Sequence, residues 1–235
     1  MHIVAATGYH RDAHYRGDHW VMKASRAQLL AAVVCEIEDG IDASDWSTPF
    51  RQRSGTRAGI IKAGASYQRI SFFERTRLEV CAEAAATTGV PLAVHTEVGT
   101  AAHDILDVVE TAGLSATRVM LAHLDRNPDV DLHSELVDRG VTVVYDTVGR
   151  IKYRPESTLL DLITQMLERG HGDNIALGTD VGRRDMMRAY GRGPGMDVLG
   201  REFLPRLQRW IGDEAVRTLM VRTPSRFLIL EGAPA

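Results

Sequence analysis

Residues 91–97 read PLAVHTE, a short apolar run that ends on a histidine. The same pattern recurs along the chain: AGIIKAG (58–64) carries Lys62 at its end, VMLAHLD (119–125) carries His123, and NIALGTD (174–180) carries Asp180. VTVVYDT (141–147) adds Asp146. With the opening run His2–Thr7, the apolar segments are Ala58–Gly64, Pro91–Thr96, Val119–Leu124, Val141–Thr147 and Asn174–Asp180. Each is rich in Val, Ile, Leu or Ala without polar alternation, as a strand covered on both faces requires.

Helical patterns fill the intervals: Arg26–Ile41, Phe72–Thr88, Ala101–Ala112, Asp129–Arg139 and Ser157–Arg169, then Asp197–Trp210 and a helical tail. Leu29, Val33 and Ile37 mark the apolar stripe of the first, and Leu159, Leu160, Ile163 and Leu167 that of the fifth. Gly40, Gly89, Gly113, Gly140 and Gly170 stand at or just past the ends, where a left-handed C-cap favours glycine. Strand–helix alternation of this kind specifies βαβ units and a parallel α/β sheet, either doubly wound or closed as a (β/α)₈ barrel. No G-x-G-x-x-G or G-x-x-x-x-G-K-[ST] loop follows any strand, which weakens the nucleotide-binding sheet. Residues 43–57 (ASDWSTPFRQRSGTR) and 191–195 (GRGPG) read as loops.

The 235 residues suit one large domain or two small ones, and 44% hydrophobic with 25% charged residues is ordinary for a globular protein. A net charge of -3 gives no electrostatic reason for nucleic acid or an anionic membrane as partner. No apolar run approaches the roughly 20 residues of a membrane span, and no signal-peptide pattern opens the chain. Cys35 and Cys81 fall at apolar positions of helical segments and read as buried, reduced thiols, which points to the cytoplasm.

In a parallel barrel the C-terminal ends of the strands converge on the face that carries the chemistry. Taken singly, a strand-end histidine can be a satisfied loop residue and a strand-end aspartate a helix cap. A lysine ending an apolar strand is harder to explain that way, because a buried ammonium is costly without a partner. Lys62, His95, His123 and Asp180 at one relative position make a common function the better reading. Two imidazoles and a carboxylate suit zinc or a similar divalent ion, which lowers the pKa of bound water to about 7. Lysine joins such a set only as a carbamate, formed when its amine adds carbon dioxide.

These segments, with IVAATGY (3–9), TGVPLAVHTE (88–97), GLSATRVMLAHLD (113–125), VVYDTVGR (143–150), IALGTD (175–180) and TPSRFL (223–228), resemble the phosphotriesterase family of the amidohydrolase superfamily in order and spacing. ATGYHRDA, DTVGRIKY and GTDVGRR are similar to its phosphotriesterase-homology and lactonase-like branch. The resemblance implies a (β/α)₈ TIM barrel with two divalent metal ions, zinc or else manganese, cobalt or iron. It implies that carboxylated Lys62 bridges the metals, that His95 and His123 bind the more exposed one, and that Asp180 binds the buried one and takes a proton from the bridging hydroxide. Asp125 and Asp146 take supporting acidic positions behind the ligands. His10 falls where relatives line the substrate pocket with an aromatic residue. Thr147 replaces the histidine shuttle of the phosphotriesterase proper, a departure that argues against an organophosphate specialist.

The family begins with a strand bearing a His-x-His pair, followed by a second strand and its helix; here HIVAATG matches the third strand and no H-x-H occurs. The resemblance therefore implies a single barrel domain over residues 1–235 that lacks about its first two βα units. An upstream start or a truncated gene model is the favoured explanation, beside a piece supplied by another chain or a non-catalytic remnant. His10, His14 and His19 of HRDAHYRGDH could form a substitute metal site, though a polar loop with solvated histidines is the simpler reading.

Arg183 and Arg184 follow the last strand, where barrels bind anions, and Lys152, Tyr153 and Arg154 follow the DTVGR strand end. The expected activity is metal-dependent hydrolysis of a lactone or other carboxylic or phosphoric ester, with an anionic small molecule as substrate. The resemblance extends to a homodimer.

Overall fold

A computed structural model describes residues 2–43, 52–191 and 193–230. Most of the polar insert, residues 44–51, and Arg192 of the GRGPG loop lie outside the described residues. The chain divides into two compact units, residues 1–121 with 227–235, and residues 122–226.

The first unit is built on β1 (Ala6–Gly8), β2 (Ile60–Ala65), β3 (Leu92–Thr96) and β4 (Val119–Ala122), the last residue of which opens the second unit. They lie in chain order, with β1–β2 and β2–β3 parallel. The helices are the short α1 (Trp20–Lys23), α2 (Arg26–Glu38), α3 (Phe72–Thr88) and α4 (Ala102–Thr111). Ser25 with Gln28 and Ser71 with Glu74 form capping boxes that fix where α2 and α3 start. Gly89, at φ 72°, supplies the left-handed residue that ends α3. Ile61, Leu78, Val80, Leu92, Val94, Ile105 and Leu106 are fully or almost fully buried between strands and helices.

The opening strand is shorter than the expected buried run His2–Thr7. Ile3 and Val4 are exposed, and the ladder begins only where Ala6 pairs with Ile60. Asp42, just before the polar insert, pairs with Arg53 within it through an antiparallel bridge. Both thiols are free, but only Cys81 is buried; Cys35 is half-buried, with Sγ 2.8 Å from Arg53 Nη2.

Two buried charges on α3 fasten the segment after β1. Glu74, 1% exposed, accepts N–H bonds from Asp12 (3.0 Å), Ser66 (3.2 Å) and Ser71 (3.0 Å), and an O–H bond from Ser66 (2.6 Å). Arg77, one turn on and equally buried, pairs with the Asp12 carboxylate and lies 5.0 Å over the Tyr15 ring. Tyr15 Oη accepts from the His10 backbone N–H at 2.7 Å. Burial alone would expel both charges; the donors and the ion pair keep them in place.

The second unit has α5 (Val130–Asp138), β5 (Thr142–Tyr145), α6 (Glu156–Glu168), β6 (Ile175–Leu177) and α7 (Leu204–Ile211). β5 and β6 are parallel, with Tyr145 opposite Leu177. Its core includes Leu136, Val143, Tyr145, Ile163, Met166 and Phe203. Within that core His133 is fully buried, its Nδ1 2.9 Å from Tyr145 Oη and its Nε2 without a partner. Burial lowers its pKa from 6.5 to about 4, against the smaller opposing pull of Asp129.

Among the described residues, the non-glycine residues with positive φ are Gln68, Val98, Ala101, His123 and Asp180. All five lie in segments that follow the C-terminal ends of strands. A left-handed conformation costs an ordinary side chain about 1 kcal/mol or more, and for β-branched Val98 it is a clear outlier. In each unit the described backbone strain thus falls in segments that follow strand ends.

Replacing Glu74 with Gln turns two of its acceptor positions into a donor. We expect a loss of about 1–3 kcal/mol in urea unfolding and faster amide exchange at Asp12 and Ser66. Unchanged exchange at those amides would mean that Glu74 does not hold the segment. His133 gives a second test. Its folded-state pKa is depressed, so between pH 6.5 and about 4 the unfolded chain binds the extra proton. Stability should fall as pH drops through that window, and the slope should flatten in His133→Leu. An unaltered slope in the variant would assign the acid lability to other groups.

Candidate active site

Close backbone approach shapes the first unit's strand ends. Gly8, at φ 109°, pairs with Lys62, and a Cβ there would stand 2.1 Å from the Lys62 carbonyl oxygen. Gly64 has the same role at the end of β2. A Cβ on it would meet Arg11 N at 3.1 Å and His10 Nδ1 at 3.2 Å, so only glycine lets the His10 segment lie against β2.

The His10 ring packs 4.7 Å from the His95 ring and stacks on His14 at 3.7 Å. His10 Nδ1 accepts the Arg11 N–H at 2.8 Å. Burial, reinforced by the neighbouring His95, His14 and Lys62, pushes the His10 pKa down to about 2, so the ring is neutral. His95 ends β3 with its Nε2 2.8 Å from Glu97, whose carboxylate also pairs with Arg11 at 3.0 Å. A cleft of about 420 Å³ is lined by Thr7, His10, His14, Tyr15, Glu36 and Lys62. The His10 ring of the loop after β1 is therefore a neighbour of both strand-end residues Lys62 and His95. His19 does not join His10 and His14: its Nδ1 caps α1 by accepting the Val21 N–H at 3.2 Å. Of the loop histidines read as solvated, His14 is exposed, while His10 is half-buried against other rings.

In the second unit, His123 follows β4 in a left-handed turn at φ 70°. Its Nδ1 lies 2.8 Å from Asp146 Oδ1 and 3.1 Å from Arg126 Nη2. A carboxylate can only accept, so a proton on Nδ1 points to Asp146, and the Arg126 guanidinium, itself a donor, then makes no hydrogen bond to that nitrogen. Asp125 Oδ2 accepts from both the N–H (2.8 Å) and the hydroxyl of Thr147, which gives Thr147 a concrete role in this chain. Burial and the nearby Asp146 raise the Asp125 pKa to about 6, against those two bonds.

Asp180, at φ 47°, places Oδ2 2.7 Å from Arg126 Nη2 and in contact with Arg150 Nη1. Arg150 Nη1 also reaches the Asp180 carbonyl oxygen at 3.2 Å. Burial raises the Asp180 pKa, but His123, Arg150 and Arg126 together outweigh it and hold the carboxyl below its ordinary range. Both guanidiniums lie over the Tyr153 ring, at 4.3 and 5.0 Å, and Lys152 Nζ is 4.7 Å from it. His123, Asp146 and Asp180 are thus gathered around Arg126. Arg183 and Arg184 stand apart from this cluster in their contacts: Arg183 is exposed and pairs with Asp185 at 3.1 Å, and Arg184 lies 4.5 Å over Tyr190.

Arg126, Arg150, Glu97 and Arg11 have no place in the sequence-based assignment. Arg150 stands inside the DTVGR segment, and Arg126 lies three residues after His123, so proximity to the strand-end motifs was the available signal.

A divalent ion requires several donors converging on one point. Among the described residues, no three His, Cys, Asp or Glu side chains converge in that way. The Asp180 oxygen that meets the two guanidiniums is already saturated with positive charge. As arranged, the residues do not fit a bound metal ion.

Comparison with known proteins places these features in context. The Phosphotriesterase family profile matches residues 1–228. A phospho-furanose lactonase of Mycoplasmopsis synoviae is 32% identical over 97% of this chain and 67% of its own length. The Phosphotriesterase homology protein of Escherichia coli is 31% identical over 97% of this chain and 74% of its own. The crystal structure of an amidohydrolase from Mycoplasma synoviae superposes with a TM-score of 0.92 at 32% identity, over 98% of this chain and 68% of that one. The chain spans about two thirds of the length of that lactonase and that amidohydrolase, and its fold is a (β/α)₈ barrel of this type lacking about two of the eight units. The chain belongs to the phosphotriesterase family.

Proposed function

We propose that this chain is a hydrolase that opens a small lactone bearing a negatively charged group, with a phosphorylated sugar lactone as the leading substrate class. The observation that carries this reading is the 32% identity, over almost the whole chain, to proteins named phospho-furanose lactonase. The chemistry of the second unit supports it. Arg150, Lys152 and Tyr153 present cations around one aromatic face, a suitable grip for a phosphate or carboxylate, with Arg183 and Arg184 further along the chain as additional cations. A relative from Escherichia coli crystallised with phosphate in its active site fits the same expectation.

In this reading Asp180, held ionised by its neighbours, accepts the proton of the attacking water. Asp146 fixes the His123 ring, Asp125 is fixed by Thr147, and His10 lines the substrate pocket as a neutral ring. Lys62, His95, His123 and Asp180 are the donors this chain offers to a pair of divalent ions, zinc foremost, with Lys62 as its carbamate. As arranged, they complete no site by themselves. Free Cys35 and Cys81 accord with a cytoplasmic setting, and no helix among the described residues is long and apolar enough to cross a membrane. A second reading, a non-catalytic partner that keeps the scaffold, draws on the same Asp180 clamp.

The test is proton release from a γ-lactone with and without a phosphate substituent. Lys152→Met and Arg183→Met should each raise KM for the phosphorylated lactone about tenfold, the cost of one lost charge-assisted contact, and leave the neutral lactone unaffected. An equal rise for both lactones would remove the anion-binding role. Absence of hydrolysis of either, in a folded metal-supplemented protein, would leave the non-catalytic reading.

A further inference from the structure

We propose that the aromatic ridge after β2 is a self-association surface, on which a second copy of this chain docks across a two-fold axis. Tyr67, Phe72 and Phe73 are 54%, 78% and 48% exposed. The Phe72 and Phe73 rings meet edge-to-face at 5.6 Å. Single exposed apolar side chains are ordinary, but three rings in one short stretch keep a sizeable apolar area in water, which marks a contact surface. Exposed Arg69 and Arg75 stand in the same stretch, and aromatic and arginine side chains are the types enriched where proteins meet. The whole ridge belongs to the first unit.

The ridge is built rigidly. Tyr67 and Gln68 sit in a turn closed by an antiparallel bridge between Ser66 and Arg69, and Ser66 donates its N–H and hydroxyl to buried Glu74. Gln68, at φ 56°, donates its N–H to Thr100 Oγ1 at 2.8 Å, which ties the turn to the segment just before α4. A surface held in this way loses little freedom on docking. A lipid surface needs no fixed shape, and two cations are a small electrostatic signal for one. Charge points to a second copy. The Thr100 tie brings the start of α4 close to the turn, and α4 carries exposed Asp104, Asp107 and Glu110 at helical spacing. Among the described residues, the Arg69, Arg75 and Asp104 side chains form no ion pair. Rings bordered by cations and by carboxylates make a self-complementary patch: a two-fold axis sets the arginines of one copy against the α4 carboxylates of the other, twice over. A partner of one sign would satisfy only half of that border.

Sedimentation velocity of the 235-residue protein over a dilution series tests the proposal. It should show a dimer that dissociates at about micromolar concentration, and Phe72→Ser/Phe73→Ser should weaken that dimer at least about tenfold. Arg69→Glu/Arg75→Glu and Asp104→Lys/Asp107→Lys should each sediment as monomers, because each sets like charges against each other. An equal mixture of these two variants should recover a dimer within about threefold of the original affinity, since opposite charges then meet at both contacts. Circular dichroism establishes that each variant is folded. Where one is not, hydrogen exchange of the unaltered protein above and below its dissociation midpoint takes its place, and residues 67–75 and 104–110 should be protected in the dimer. A monomer throughout the series overturns the proposal, and its retention on phosphatidylserine vesicles would give the ridge to a lipid surface instead. A dimer that persists in the folded variants, a mixture that stays monomeric, or protection confined to other segments overturns it as well.

Discussion

Charge buried at the ends of parallel strands has to be neutralised by neighbours the fold itself supplies, and each unit of this chain does so with a different device. On α3 the Glu74 carboxylate is surrounded by backbone N–H groups and a serine hydroxyl, while Arg77 takes the Asp12 carboxylate. In the second unit Asp180 is met by two guanidiniums, and His123 is met by Asp146. Removing one partner from such a set leaves an uncompensated charge or dipole in a low-dielectric setting, which costs far more than the intact contact contributes. His123 and Asp180 keep their left-handed conformations with these bonds holding their side chains.

The first unit shows how that constraint reaches the candidate site. Glu74 and Arg77 lie on the helix after β2, yet their contacts fall on Asp12 and Tyr15, in the segment after β1. Tyr15 in turn holds the His10 backbone, and Gly64 leaves room for the His10 ring beside His95. Local capping chemistry and pocket geometry are thus joined through a few hydrogen bonds. The neutral state of His10 follows from the same packing, since burial among other basic groups makes protonation unfavourable.

The second unit carries the tension between family and arrangement. Membership of the phosphotriesterase family brings an expectation of divalent metals, and the sequence resemblance names Asp180 and His123 among their ligands. The side chains answer with arginine instead. Arg126 and Arg150 balance the carboxylate, Tyr153 supports both guanidiniums, and Asp146 orients His123. A half-buried carboxylate needs counter-cations, and here two guanidiniums supply them.

Much of this was legible in the amino-acid order. Short apolar runs without polar alternation, bounded by turn residues, fit strands covered on both faces, and glycine after each helical stretch marks its end, so the α/β alternation and the span Phe72–Thr88 could be read directly. The same runs pointed to Lys62, His95, His123 and Asp180, because a polar residue closing an apolar strand stands out against its neighbours. The opening run misled: Ile3 and Val4 are as apolar as any core residue, but a strand exists only where a partner supplies the other half of its hydrogen bonds. Arg183 and Arg184 were equally visible as charges, but no local pattern distinguishes an arginine paired with Asp185 from one aimed at a ligand. What joins Arg126 to Asp180, 54 residues away, and Arg77 to Asp12, 65 residues away, leaves no trace in spacing or composition. Residue order determined which groups end the strands, because periodicity is a local property. The partners of those groups were decided only by the tertiary structure, because neutralising a buried charge depends on which distant side chains the fold brings within hydrogen-bonding distance.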